Sequence, residues 1–244
     1  DLLAMLMEAR DEETGEAMTD AQLRDEVMTI VTAGHETTAN AMSWTLYLLS
    51  KHPDVARRVE REVEDVLGER VPTIADLGKM PYGSAVIQEA MRVFPPVWGI
   101  ERQAAGDDEI AGYSVAKNTL VGIFPYLLHR HPAYWPNPEG FDPERFLPSS
   151  GPKTRERPRY AYLPFGAGPR VCIGNAFALM EAQILLSMIV QRHRLELVAG
   201  ARIVPEPVVT LRPRDGMRMT LVPKHRQAAR TAAAPGAAVT SCQP

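Results

Sequence analysis

Apolar and small residues recur at helical spacing at Leu23, Val27, Ile30, Val31, Gly34, Thr38, Met42, Thr45, Leu46 and Leu49, and the run stops at His52-Pro53. Ahead of it, Thr19-Asp-Ala-Gln22 places a hydroxyl at an N-cap and an amide three residues later, the pattern of a capping box. Together they predict one helix of about 30 residues, roughly 45 Å long at 1.5 Å per residue. A helix of that length crosses a whole domain. Beyond Pro53, Val55, Val59, Val63, Val66 and Leu67 form the apolar stripe of a charged amphipathic helix that Gly68 stops. A third helix is predicted from about Pro81 to Phe94, ended by Pro95-Pro96.

After Ile100 the helical period gives way to short apolar runs between turn residues. Ile110-Ala-Gly-Tyr-Ser-Val115 and Thr119-Leu-Val-Gly-Ile-Phe124 are predicted to be short strands of a small sheet. Prolines and aromatics alternate between Pro125 and Pro164, which predicts an ordered, meandering loop. A last helix fits Asn175 to about Arg192, with strands at Leu195–Val198 and Met217–Val222 around an Arg214-Asp-Gly turn. The Ala, Pro and Gly-rich stretch past Pro223 predicts a disordered tail. The expected class is mainly α with small β-sheets, and no internal repeat is present.

Composition narrows the choice of function. The 244 residues are 45% hydrophobic and 23% charged, the balance of an ordinary globular domain and far from a disordered one. Acids outnumber bases by 30 to 27, so no broad positive field exists for neutralising phosphates, and nucleic acid is excluded as an expected partner. Two cysteines, Cys172 and Cys242, cannot build a disulfide framework, which favours a cytoplasmic location. No stretch approaches the roughly 18 apolar residues of a membrane span, so membrane association is not expected from the residues seen.

The chemistry concentrates in Phe165-Gly-Ala-Gly-Pro-Arg-Val-Cys-Ile-Gly174. Glycines at 166, 168 and 174 permit a tight turn and let backbone approach a flat ligand. Cys172 falls just before a helix N-terminus, whose partial positive charge favours a thiolate, and a thiolate there is a natural iron ligand. Arg170 is placed to meet a carboxylate of the same ligand. In the long helix, Ala33 and Gly34 remove bulk so that a planar group can lie against backbone. Thr37 and Thr38 can bond an earlier carbonyl and widen the helix locally, while Glu36 beside Thr37 pairs an acid with an alcohol for proton relay. Glu89 and Arg92 stand three residues apart on one helical face, spaced for an ion pair that Arg145 can join. His129 and His131 lack acidic or cysteine partners at ligand spacing and are expected to be structural or exposed. Lys153-Thr-Arg-Glu-Arg-Pro-Arg159 is a basic cluster expected to be a solvated loop, with docking of an acidic electron donor as the functional alternative.

The Phe-x-x-Gly-x-Arg-x-Cys-x-Gly segment resembles the haem-binding loop of cytochrome P450. Ala33-Gly-His-Glu-Thr-Thr38, Glu89-Ala-Met-Arg92 and Pro143-Glu-Arg-Phe146 resemble that family's central-helix, Glu-x-x-Arg and meander motifs in the same order. The resemblance runs from about Thr19 to Val222 and implies a P450-like fold from the long central helix to the C-terminus. It implies haem b with an axial thiolate as cofactor, Cys172 as the iron ligand, and Phe165, Gly168, Gly174, Arg170, Ala33 and Arg102 around the haem, Arg102 by pairing with a propionate. Glu36 and Thr37 become the proton-delivery pair, and Glu89, Arg92 and Arg145 a structural network. A substrate pocket is implied among Ala33, Thr37, Val97, Ile100 and Val209. The implied reaction is insertion of one atom of O2 into a hydrophobic small molecule, with a ferredoxin or flavoprotein reductase as electron donor. The alternatives are a peroxide-dependent or isomerising enzyme on the same fold, and a non-catalytic haem-binding fragment.

Members of that family have roughly twice as many residues, and the chain does not open on methionine. Residues 1–223 are therefore expected to be the C-terminal portion of a single domain whose N-terminal part, with any anchor, is missing. Such a portion is expected to expose apolar surface on the central helix and, alone, to bind haem weakly.

Overall fold

A computed structural model describes residues 1–147 and 157–224 of the chain. The expected tail with Cys242, and residues 153–156 of the basic cluster, lie outside the described residues. The helices are α1 (Leu2–Glu8), α2 (Asp20–Lys51), α3 (Pro53–Leu67), α4 (Ile74–Leu77), α5 (Pro81–Val93), α6 (Pro125–Leu128) and α7 (Asn175–Arg192). Short 3-10 turns occupy Pro143–Phe146 and Gly168–Arg170. The strands are β1 (Ile100–Gln103), β2 (Asp108–Ile110), β3 (Tyr113–Val115), β4 (Leu120–Ile123), β5 (His193–Leu197), β6 (Pro205–Pro207), β7 (Leu211–Pro213) and β8 (Met219–Pro223).

The punctuation read in the sequence sets the helix ends. Thr19 caps α2 in a capping box: its N–H donates to Gln22 Oε1 at 2.9 Å, and its hydroxyl accepts from Gln22 N–H at 3.3 Å. Pro53 and Pro81 occupy the first helical positions of α3 and α5, where a missing N–H costs nothing. The stripes at Val55, Val59, Val63 and Leu67 of α3 and Val86 and Ile87 of α5 pack with Met42 and Leu49 of α2 and Leu186 and Val190 of α7 into one core. Glu62 of α3 ties this packing together by accepting from the N–H groups of Tyr82 (2.8 Å) and Gly83 (2.7 Å) at the start of α5.

Burial along α2 is uneven. Thr38, Asn40, Ala41, Met42, Trp44, Thr45, Leu48 and Leu49 are buried, whereas Met28 and Val31 upstream are 57% and 60% exposed. The apolar stripe is continuous in sequence, but among the described residues it is buried only in its C-terminal half, with Leu23 and Val27 half-buried upstream. The helix stays α-helical across Gly34 to Thr38, so the local widening expected from the threonines is absent. Thr37 spends its hydroxyl on Ala33 C=O at 2.7 Å without breaking the ladder.

Four antiparallel two-stranded sheets pair β1 with β4, β2 with β3, β5 with β8 and β6 with β7. The β2–β3 hairpin thus lies between β1 and β4 in the chain, as β6–β7 lies between β5 and β8. Residues Ile110–Val115, expected as one strand, are a hairpin turn and its flanks. Ala111 (φ 50°) and Gly112 (φ 87°) both adopt the left-handed region that a tight two-residue turn needs, and Ile110 pairs with Tyr113.

Candidate functional site

The glycine-rich loop delivers Cys172 to the mouth of α7. Gly166 (φ 70°) and Gly168 (φ 71°) take left-handed turns closed to other side chains, and Cys172 N–H donates to Phe165 C=O at 2.9 Å. No side chain caps α7 at Gly174, which leaves the positive end of the helix dipole to the cysteine. Cys172 is exposed, as are its neighbours Val171, Ile173 and Phe177, with Ile173 99% exposed. A Cβ on Gly174 would lie 3.9 Å from Cys172 Sγ, so glycine there keeps the flank of the sulfur clear. A Cβ on Gly166 would lie 3.7 Å from Ile100 Cδ1, which places the loop against the start of β1.

These features fit a flat, apolar macrocycle carrying a soft metal: one accessible sulfur, side-chain-free backbone, and exposed apolar residues around it. Arg170 beside the cysteine and Arg102 on β1 are both exposed cations suited to peripheral carboxylates. The Arg102 guanidinium bonds only Glu101 C=O, at 2.8 Å, among the side-chain hydrogen bonds of the described residues.

Glu36, Thr37 and Ala33 lie on the partly uncovered stretch of α2; Ala33 and Glu36 are exposed and Thr37 is half-buried. Sequence reasoning missed what holds the acid. Thr210, buried in the turn before β7, donates its hydroxyl to Glu36 Oε1 at 2.6 Å and accepts from Asn40 Nδ2 at 2.9 Å. One turn further along α2, Trp44 Nε1 donates to Leu211 C=O at 2.9 Å. The spacing of Glu36, Asn40 and Trp44 on one helical stripe is legible, but nothing local points to a partner some 170 residues away.

Of the residues expected around a substrate, Val97 and Ile100 are half-buried, while Val209 is 90% exposed. A separate apolar cavity of about 390 Å³ is lined by Trp98, Phe124, Tyr126, Leu127, Pro205, Pro207 and Leu211. None of the expected pocket residues lines it. Cys172, Ala33, Glu36 and Thr37 lie outside this cavity, on the largely exposed cysteine loop and α2.

Glu89 and Arg92, both fully buried, form the centre of the ionic network. The carboxylate takes Arg92 Nε and Nη2 at 2.7 and 2.8 Å and the N–H of Asp142 at 2.9 Å, with Arg145 Nε 3.4 Å away. The remaining Arg92 donors bond the carbonyls of His129, Pro138 and Gly140. Burial pushes the Glu89 carboxyl up, against the pull of Arg92. Arg157 departs from the solvated-loop expectation: its guanidinium lies 4.3 Å over Trp135 and donates to Arg145 C=O at 2.7 Å. Arg159 is exposed beside Tyr160.

His129 links this network to the cysteine loop. Its carbonyl accepts from Arg92, and its buried ring accepts at Nε2 from Leu163 N–H at 2.8 Å; Leu163 C=O in turn takes Gly166 N–H at 3.2 Å. His131 is exposed. Burial first, and then the charge of Arg92, pull His129 down to about 3 from 6.5, so it stays neutral in the fold. Between these values the unfolded chain binds a proton that the folded chain refuses, so stability rises with pH and is lost on acidification below 6.5. The slope from this group is at most about 1.4 kcal/mol per pH unit. His129→Gln keeps an acceptor for Leu163 and removes the titration. Urea unfolding from pH 7 to 4 is expected to give a flatter acid limb in the variant; parallel limbs would refute the assignment.

Residues 1–218 match the family model for cytochrome P450. The chain is 41% identical over 211 residues to cyclooctatin synthase of Streptomyces melanosporofaciens, covering 86% of this chain and 45% of that protein. It is 45% identical over 196 residues to cytochrome P450 4V2 of Homo sapiens, covering 80% of this chain and 37% of that protein. Among solved structures, retinoic acid-bound cyanobacterial CYP120A1 aligns with a TM-score of 0.86 at 33% identity, over 92% of this chain and 51% of that one. The chain thus spans less than half the length of these curated relatives. Sequence, motif order and fold agree over most of its residues, and the chain belongs to the cytochrome P450 family.

Proposed function

We propose that this chain is the C-terminal part of a cytoplasmic haem-thiolate monooxygenase acting on a hydrophobic organic substrate. The observation that carries the reading is the exposed Cys172 at the uncapped start of α7, in a loop stripped of side-chain bulk at Gly166 and Gly168. Haem b, held by Cys172 with Phe165, Gly168 and Gly174 beside it and Arg170 and Arg102 toward its carboxylates, would supply the redox chemistry of O2 activation. One oxygen atom enters a C–H bond of the substrate and the other leaves as water, consuming two electrons from a ferredoxin or flavoprotein and two protons. Glu36 passes the protons inward and Thr37 holds them near the reacting oxygen. Ala33, Val97, Ile100 and Val209 offer apolar contact to the substrate. The retinoic acid-bound relative supports an apolar organic ligand for this surface.

The reduced, carbon monoxide-bound absorption spectrum of the full-length protein tests the cofactor. A Soret band shifted strongly to the red is expected for thiolate ligation, and a histidine-type spectrum from a well-folded, haem-loaded protein would sink the reading. Thr37→Ala is expected to keep that spectrum while uncoupling the reaction, lowering product per electron pair by roughly tenfold or more. Product assays against reductant and O2 consumption check it; unchanged coupling would remove Thr37 from proton delivery.

A further inference from the structure

Three residues of α2 spaced one turn apart, Glu36, Asn40 and Trp44, all grip the same short turn. Trp44 holds Leu211 C=O, and Asn40 and Glu36 hold the two sides of the Thr210 hydroxyl. The turn is fastened from behind as well, because Leu211 N–H donates to Pro96 C=O at 2.8 Å and Val208 N–H to Thr210 C=O at 3.2 Å. Trp98 Nε1 adds a bond to Val208 C=O at 2.8 Å. A hydroxyl carries one proton, and here its direction is set: the Asn40 amide donates to the oxygen, so the Thr210 proton goes to Glu36.

We infer that Thr210 is a positioning residue for Glu36. Glu36 is exposed, and an exposed glutamate on a helix samples several rotamers unless something holds it. Thr210 is itself buried, 5% exposed, and bonded to Asn40, so its bond to Glu36 directs one carboxylate oxygen toward the stripe of α2 next to Thr37. Glu36 then has one oxygen occupied and the other available to take and release protons. Val209, the neighbour of Thr210, is 90% exposed and open to contact. Contact there reaches Glu36 through a single intervening residue. The role rests on the monooxygenase reading.

The test uses the full-length, haem-loaded protein with Thr210→Val, which keeps the shape and removes the hydroxyl, and Thr210→Ser, which keeps the hydroxyl. The first readout needs no turnover: the carboxylate infrared band of Glu36, from 13C-labelled glutamate and assigned by its loss in Glu36→Gln. It is expected to shift in Thr210→Val and to return in Thr210→Ser. The second is coupling, expected to fall roughly tenfold in Thr210→Val with substrate KM within about twofold, and to be rescued by serine. Combining Thr210→Val with Glu36→Gln is expected to add no further loss to Glu36→Gln alone. An unmoved Glu36 band, additive losses in the double variant, or unchanged coupling in Thr210→Val beside an intact thiolate spectrum would each overturn the positioning role alone. A parent protein without a thiolate spectrum would overturn the reaction, and the coupling role with it.

Discussion

Cys172→Ala in the full-length protein is expected to eliminate the red-shifted carbon monoxide Soret band and to reduce product formation to background. Alanine removes the only sulfur in the loop and leaves its frame unchanged. Cys172 is exposed, its backbone bond to Phe165 does not use the side chain, and Gly166 and Gly168 keep their turns. The fold should therefore survive, with a far-ultraviolet spectrum and melting temperature close to the parent's. That separation makes the result decisive. Loss of the band with an intact fold and haem still bound assigns Cys172 as the sulfur that would hold the iron, because thiolate donation is what shifts the band. Cys242, outside the described residues, is the natural control. A Cys172→Ala protein that retained the band would refute the site and leave the Glu36–Thr37 pair without a chemical partner.

Arg92→Lys is expected to destabilise the fold nearly as much as Arg92→Ala, by about 3–5 kcal/mol, and to lower the melting temperature on the order of 10 °C. The reason is donor geometry. Arg92 uses five N–H groups: two on the Glu89 carboxylate and three on the carbonyls of His129, Pro138 and Gly140. A lysine ammonium has three donors and cannot span a bidentate carboxylate and three backbone oxygens. The carbonyls are then unserved and Glu89 keeps only the Asp142 N–H and the more distant Arg145, which is where the penalty arises. Calorimetry on the two variants checks the prediction; a lysine variant within about 1 kcal/mol of the parent would show that charge alone suffices. Glu89→Gln in the Arg92→Leu background should recover part of the loss by removing the stranded charge.

The parts of this molecule legible in sequence are those written locally. Thr19 and Gln22 announce the start of α2, Pro53 and Pro81 the starts of α3 and α5, and the valine stripe of α3 its buried face. The cysteine loop is equally local, since its glycines, arginine and sulfur lie within ten residues. Pairings between distant segments are not written this way. The strand signals at Leu195–Val198 and Met217–Val222 do not set their register, Leu195 against Leu221, and β6 and β7 are too short and proline-rich to register as strands. Ala111-Gly112 is a weaker turn signal than Asn-Gly, so the hairpin there reads as one strand. His129 and Thr210 share this limit. Each is an ordinary residue in its own sequence neighbourhood and takes its role from a partner across the fold, Leu163 for one and Glu36 for the other.

The burial of α2 makes Thr38 a boundary. From Thr38 to Leu49 the helix is held in the core, while Met28 and Val31 upstream are exposed among the described residues. Glu36 and Thr37 stand next to that boundary. A tilt of the helix about Thr38 would leave the acid and the alcohol nearly in place, because displacement grows with distance from the pivot.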